Sequence, residues 1–219
     1  MQHAAIRRLV MYALFSAMIL LLGLTPLGFI RLPIASIVTV HIPVVIGAMM
    51  LGVKGGAFLG FIFGLTSLIN CFIAPDAIAA ICLGQAGSFG LYNLFLIVIV
   101  LFVPRVLVGV FSALVFKLVS KIDKTRLFSI GASAVVGSLT NTIFLLGALA
   151  LFAFEPACAA FGVSGASGLF AAILGVISLN GVLEAVAAVV ICLPIAKALL
   201  FYDEKYGIKD IRTNDTTTE

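Results

Sequence analysis

The feature that most constrains this chain is the length of its apolar runs. They are long, unbroken and nearly free of charge, beginning with about 22 apolar residues after Arg7 and Arg8. A helix needs roughly 20 apolar residues to cross the hydrocarbon of a bilayer. Backbone groups in lipid must be satisfied within the chain, which leaves helices or closed barrels. Barrel strands would read as short alternating segments, so these runs predict helices. Composition agrees: 63% of residues are hydrophobic, 10% are charged and the mean hydropathy is +1.30. A soluble domain has about a quarter of its residues charged, so lipid is the expected solvent for most of these side chains.

Spans are predicted at roughly 8–30, 36–53, 55–73, 103–120, 128–153 and 168–200. The second and third are joined by the tight turn Gly52-Val53-Lys54-Gly55-Gly56. The N-terminal run is too long for a signal-peptide core and no cleavage motif follows, so it is expected to be a retained first helix. Region 71–103 admits two readings. Residues 88–120 as one straight helix would be about 50 Å long, far thicker than hydrocarbon, and Pro104 would break it. Either 91–103 is a separate span, or it is an interfacial or re-entrant piece leading into a helix that begins near Pro104, a favoured place for proline. Cation placement favours the second. With six spans, Arg7, Arg8, Lys54, Lys117, Lys121, Lys124, Arg126, Lys197, Lys205 and Lys209 all fall on one side. The positive-inside rule makes that side cytoplasmic, whereas a seventh span would put the 117–126 cluster outside. The expected fold is an all-α integral membrane protein, a six-transmembrane-helix bundle with cytoplasmic termini. Residues 1–204 form one membrane domain, and 205–219 form a polar, mobile tail. Segments of about 30–36, 73–102 and 154–167 are left outside.

Few ionisable side chains lie within or at the outer ends of these spans: Arg31, His41, Asp76, Arg105, Glu155 and Glu184. Charge at membrane depth is costly, so each is a candidate functional residue. Arg31, Asp76 and Glu155 can also be read as solvated at an interface. Arg105 opens the fourth predicted helix on the outer side, against the positive-inside trend. Its planar fork suits a carboxylate or phosphate. Glu184 lies one turn after Asn180, and residues four apart share a helix face. Ser138, Thr140, Asn141 and Thr142 form a polar girdle in the fifth span, read either as interhelical hydrogen bonding or as one wall of a polar pocket. Gly52, Gly56, Gly60 and Gly64 recur every four residues, a spacing that lets helices approach closely. Ala13 and Ala17 make a shorter ridge of small residues on the first helix.

Several classes of function are excluded. The cysteines at 71, 82, 158 and 192 form no C-x-x-C pair and no cluster with histidine, so no metal site is expected. There is no phosphate-binding G-x-x-x-x-G-K-[ST] loop, no H-E-x-x-H and no G-x-S-x-G, so neither ATP hydrolysis nor those hydrolytic chemistries is supported. Scattered cations give no nucleic-acid face. With one deep carboxylate and no evident inverted repeat, the bundle reads as a binding protein that takes its energy from a partner. No cofactor is expected.

The stretch Thr39-Val-His41-Ile-Pro43-Val-Val-Ile-Gly47-Ala and the run from Leu51 through Gly64 resemble a known family. Phe102-Val-Pro104-Arg105-Val-Leu-Val-Gly109, Gly137-Ser-Leu-Thr140-Asn141-Thr142 and Thr25-Pro26-Leu27-Gly28 carry the same resemblance. The family is the substrate-binding S components of energy-coupling factor (ECF) vitamin transporters, and the pattern is most like its pantothenate-specific members. It covers residues 7–200. Family members usually have Leu-Gly-Pro-Lys at the inner turn, where this chain has Leu51-Gly52-Val53-Lys54. The resemblance implies six helices with cytoplasmic termini and a vitamin captured from outside. It also implies docking on a membrane T component through Ala13 and Ala17, two ABC ATPases completing the complex, and release by toppling in the membrane. Segments 30–40 and 73–102 would act as gates. For pantothenate, Arg105 would meet the carboxylate, while Asn141, Thr140, Asn180, Glu184 and His41 would line the rest of the site. Riboflavin, folate or pyridoxine S components share parts of the pattern, and a stand-alone secondary transporter is the competing class.

Overall fold

The computed structural model of the chain describes residues 2–31, 36–75, 77–84 and 90–206. Asp76 and the tail residues 207–219 lie outside the described residues. Five helices are long and apolar enough to cross a membrane: Ala5–Gly23, His41–Ile73, Leu91–Val119, Leu127–Phe152 and Gly165–Tyr202. The expectation of six is therefore met by five elements, and the difference lies at Gly52.

Helix α1 (Gln2–Gly23) ends seven residues short of the predicted span. Proline at 26 cannot continue a helical ladder, and a single 3-10 turn, Pro26–Gly28, redirects the chain. It then forms a two-stranded antiparallel hairpin, β1 (Phe29–Arg31) with β2 (Ser36–Val38), in which Phe29 pairs with Val38. The hairpin is stitched to this turn by Thr39, whose N–H donates to the Gly28 carbonyl at 3.0 Å and whose Oγ1 donates to the Leu27 carbonyl at 2.6 Å. Residues 36–38, predicted to be helical, are thus strand.

Helix α2 (His41–Ile73) changes direction at Gly52, where φ is 76° and ψ −170°. That left-handed conformation is accessible to glycine with little steric cost. A Cβ placed on Gly56 would lie 2.9 Å from the Ala48 Cβ. Residues eight apart on a straight helix are about 12 Å apart, so arms 41–51 and 53–73 fold back on each other as the predicted tight turn required. Every residue of the first arm is buried. Gly52 is the reversal and not part of the glycine ridge; Gly56, Gly60 and Gly64 form that ridge. Their faces meet the Gly109 carbonyl, the Arg105 carbonyl and the Phe102 ring in turn, which sets the second arm antiparallel to the helix that carries those residues. Lipid tails are as apolar as leucine, so such close contact, rather than hydrophobic burial, is what holds membrane helices together.

The region 73–102 departs most from expectation. A short helix α3 (Ala77–Leu83) is followed by α4 (Leu91–Leu96), a π-helical stretch Ile97–Phe102 and α5 (Val103–Val119). The last three form one continuous helical path, so Pro104 does not start a helix and Arg105 does not open one. The widened turn explains the tolerance. Val103 bonds back five residues, to the Val98 carbonyl. Pro104 has no N–H to offer the Val100 carbonyl one turn before it. The Arg105 side chain takes that place, its Nη1 donating to the Val100 carbonyl at 2.9 Å.

Helix α6 (Leu127–Phe152) runs antiparallel to α5, as the hydrogen bond from Ser133 Oγ to the Ser112 carbonyl at 2.6 Å shows. Asp123 ties the intervening turn: its carboxylate accepts from the Ser129 N–H at 2.8 Å and from the Thr125 N–H at 3.0 Å. These bonds favour the ionised form and hold Asp123 below its ordinary value. The tie is complete at neutral pH and is lost as pH falls through that lowered value. Residues 154–167, read as a connection, begin with helix α7 (Phe154–Phe161), which stops at Gly162 with φ 64°. Helix α8 (Gly165–Val176), a π-helical turn Ile177–Gly181 and α9 (Val182–Tyr206) complete the chain as one long path.

These directions gather Arg7, Arg8, Lys54, the 117–126 cluster and Lys197 at one end of the bundle. The hairpin, α3 and α7 lie at the other.

Candidate ligand-binding site

The polar side chains of α6 do not all face one way. At about 100° per residue, Ser138, Asn141 and Thr142 share a face, and Thr140 lies about 200° round from Ser138. All four are buried. Ser138 Oγ and Asn141 Oδ1 have no hydrogen-bond partner among the described residues. A buried acceptor or hydroxyl in that state is costly, and a ligand that supplies donors would relieve it. Thr140 is thereby separated from the residues with which it was predicted to act.

Glu184 of α9 meets this face. It is 4% exposed, and its Oε2 accepts from Thr142 Oγ1 at 3.3 Å. Its Oε1 accepts from the Val38 N–H at 3.0 Å, across 146 residues of sequence. The deepest carboxylate of the bundle therefore ties the end of β2 to α6. His41 follows three residues after Val38 as the first residue of α2 and is 1% exposed. Glu184→Ala should release the hairpin, raising the hydrogen-exchange rate of the Val38 amide at least tenfold, whereas Glu184→Gln keeps an acceptor and should change it less. Equal exchange in all three proteins would show that the bond does not hold the strand.

Asn180 was expected beside Glu184. It sits in the π-helical turn Ile177–Gly181, which has more residues per turn than an α-helix, so the four-residue rule does not carry across it. Asn180 is half-buried and has no hydrogen bond to Glu184 among the described residues.

Arg105 lies 7% exposed in the same half of the bundle, with its guanidinium 5.5 Å from the centre of the Phe63 ring. It also lines a cavity of about 40 Å³ together with Ser67 and Asn70 of α2. Those two residues were not singled out from the sequence; only their position near the end of an apolar span marked them. Of the interfacial candidates, Glu155 is exposed in the first turn of α7, whereas Asp76 lies outside the described residues, as does the Arg31 side chain. Ala13 and Ala17 both lie on the exposed face of α1. All four cysteines are buried and none forms a disulfide, and among the described residues no group of His, Cys, Asp and Glu could hold a metal.

A bundle of long apolar helices is a multi-pass membrane protein, and its buried cation, buried carboxylate and unsatisfied polar atoms mark the candidate site. Residues 7–196 match the family described as ECF transporter, substrate-specific component. The chain belongs to that family and is a multi-pass protein of the cell membrane. It is 29% identical over 167 residues to the pantothenic acid transporter PanT of Lactococcus lactis, covering 73% of this chain and 75% of that protein. It is 28% identical over 218 residues to the pantothenate transporter PanT of Leuconostoc mesenteroides, covering 95% of this chain and 100% of that one.

Proposed function

We propose that this chain is the pantothenate-binding S component of an ECF-type ABC importer. It binds the vitamin from outside and delivers it when docked on a T component with two ABC ATPases, which supply the ATP hydrolysis. The observation that carries this reading is that a cation, Arg105, and a carboxylate, Glu184, are both buried inside the apolar bundle. Pantothenate bears one carboxylate, two hydroxyls and an amide. A guanidinium suits the carboxylate. Glu184 with Thr142 can accept from and donate to hydroxyls, and Asn141 matches an amide. The names of the two PanT relatives support the same vitamin.

In this reading the bundle crosses the membrane six times, with each arm of α2 a crossing and both termini cytoplasmic. The first arm alone is about 17 Å long, shorter than the other crossings. Cations at one end of the bundle agree with the positive-inside rule. The hairpin and α3 then lie outside as gates. Ala13 and Ala17, exposed on α1, offer the T component a surface on which backbones can approach closely.

Titration calorimetry of the detergent-purified chain against a panel of pantothenate, riboflavin, folate and pyridoxine tests the substrate. Pantothenate should bind at least 100-fold more tightly than the others. Vesicles carrying the chain with its T component and ATPases should accumulate pantothenate only with ATP. Uptake by the chain alone would overturn the reading.

A further inference from the structure

We propose that the cavity between α2, α3 and α5 is the subsite for the ligand's carboxylate, and that Ser67 and Asn70 hold that group together with Arg105. This rests on the reading of the chain as a pantothenate-binding protein and adds two residues and an orientation to it. The cavity is about 40 Å³, with Cys71, Ala79 and Leu101 among its walls. That is room for a group the size of a carboxylate or for about three to four waters, at about 10–15 Å³ each.

Ser67 is the residue that points to a ligand. It is 5% exposed and its Oγ has no hydrogen-bond partner among the described residues. Helical serines and threonines commonly turn back to their own helix, as the neighbouring Thr66 does, donating to the Phe63 carbonyl at 2.7 Å. Ser67 does not. Its hydroxyl is buried in a polar cavity beside an amide and a guanidinium, a state that calls for an explanation. The three polar side chains on this wall, a hydroxyl, an amide and a guanidinium, can all donate, and none carries negative charge. No carboxylate lines the cavity among the described residues. Donors converging on a small space, one of them a guanidinium, favour an anion over a neutral or cationic group. The carboxylate end of pantothenate then lies under α3 and its diol end reaches Glu184 and Thr142 under the hairpin.

The test compares pantothenate with pantothenol, which carries CH2OH in place of the carboxylate, by calorimetry on the full-length chain. Two variants are used, Ser67→Ala and Asn70→Asp, each first checked for the parent's melting temperature and elution volume. Ser67→Ala should weaken pantothenate about tenfold, the factor expected for one lost hydrogen bond to a charged group. Pantothenol binding should change less than about twofold. Asn70→Asp places like charge beside the anion and should weaken pantothenate more than tenfold, again sparing pantothenol. Equal losses for both ligands, or none for either, would mean that the cavity holds only water and would overturn the subsite. If the parent chain binds no pantothenate, the proposed function falls and the subsite with it; tight parent binding with insensitive variants overturns the subsite alone.

Discussion

Gly109→Leu should prevent the chain from accumulating as a folded, monodisperse membrane protein. A Cβ at Gly109 would collide with the Gly56 carbonyl, and one at Gly56 would collide with the Gly109 carbonyl. The contact is therefore backbone against backbone, and no flexible side chain can move aside. Overpacking a well-packed core costs about 1–3 kcal/mol, and here the whole α2–α5 seam must open to admit a leucine. The expected loss is at or above the top of that range. Gly60 against the Arg105 carbonyl and Gly64 against Phe102 would be pulled apart with it. Gly131 is the control. A Cβ there meets nothing within 4 Å, so Gly131→Ala should keep or raise stability by up to about 1 kcal/mol through helix propensity. Size-exclusion profiles and melting temperatures check both. A Gly109→Leu protein that melts within a few degrees of the parent would show that the seam does not hold the bundle.

Arg105→Ala should weaken pantothenate binding about 100-fold or more. Hydrogen bonds to a charged group are worth about 1.5–3 kcal/mol each, and a guanidinium can give two to one carboxylate. Part of any loss could come from the helix itself, since Arg105 also satisfies the Val100 carbonyl that Pro104 leaves open. Two comparisons separate the effects. Arg105→Lys keeps the charge but not the planar fork, so it should recover melting temperature more than affinity. Pantothenol, lacking the carboxylate, should lose little on Arg105→Ala. If Arg105→Ala bound pantothenate as tightly as the parent, the assignment of Arg105 to the carboxylate would be wrong.

Much of the fold was legible because membrane solvation makes local sequence unusually informative. The reversal at Gly52 was readable as a run of glycine beside a lysine between two apolar stretches, and the ridge at Gly56, Gly60 and Gly64 as a four-residue spacing. Pro104 misled because the usual argument counts a broken α-ladder. A π-helical turn and an arginine folded back onto Val100 repair it, and neither leaves a periodic mark in the sequence. The hairpin was missed for a similar reason: strands of three residues are too short to show alternation, and its tie to Glu184 spans 146 residues. Within the candidate site, Arg105 and Glu184 stood out as charges in apolar surroundings. Ser67 and Asn70 did not, since hydroxyls and amides are common near the ends of membrane helices.

By itself the sequence determined that the chain is helical and lives in lipid, because so few charges leave no other way to satisfy a desolvated backbone. It also marked the charges costly enough to need a purpose. Only the tertiary structure decided which of them meet. It loosened Asn180 from Glu184 through a π-helical turn, tied Glu184 to the Val38 amide, and brought Ser67 and Asn70 to Arg105. The reason is physical: a polar side chain's helix face follows from local periodicity, but its partners follow from how neighbouring helices are rotated and how deep they sit against one another. In this bundle those are set by the glycine contacts between α2 and α5.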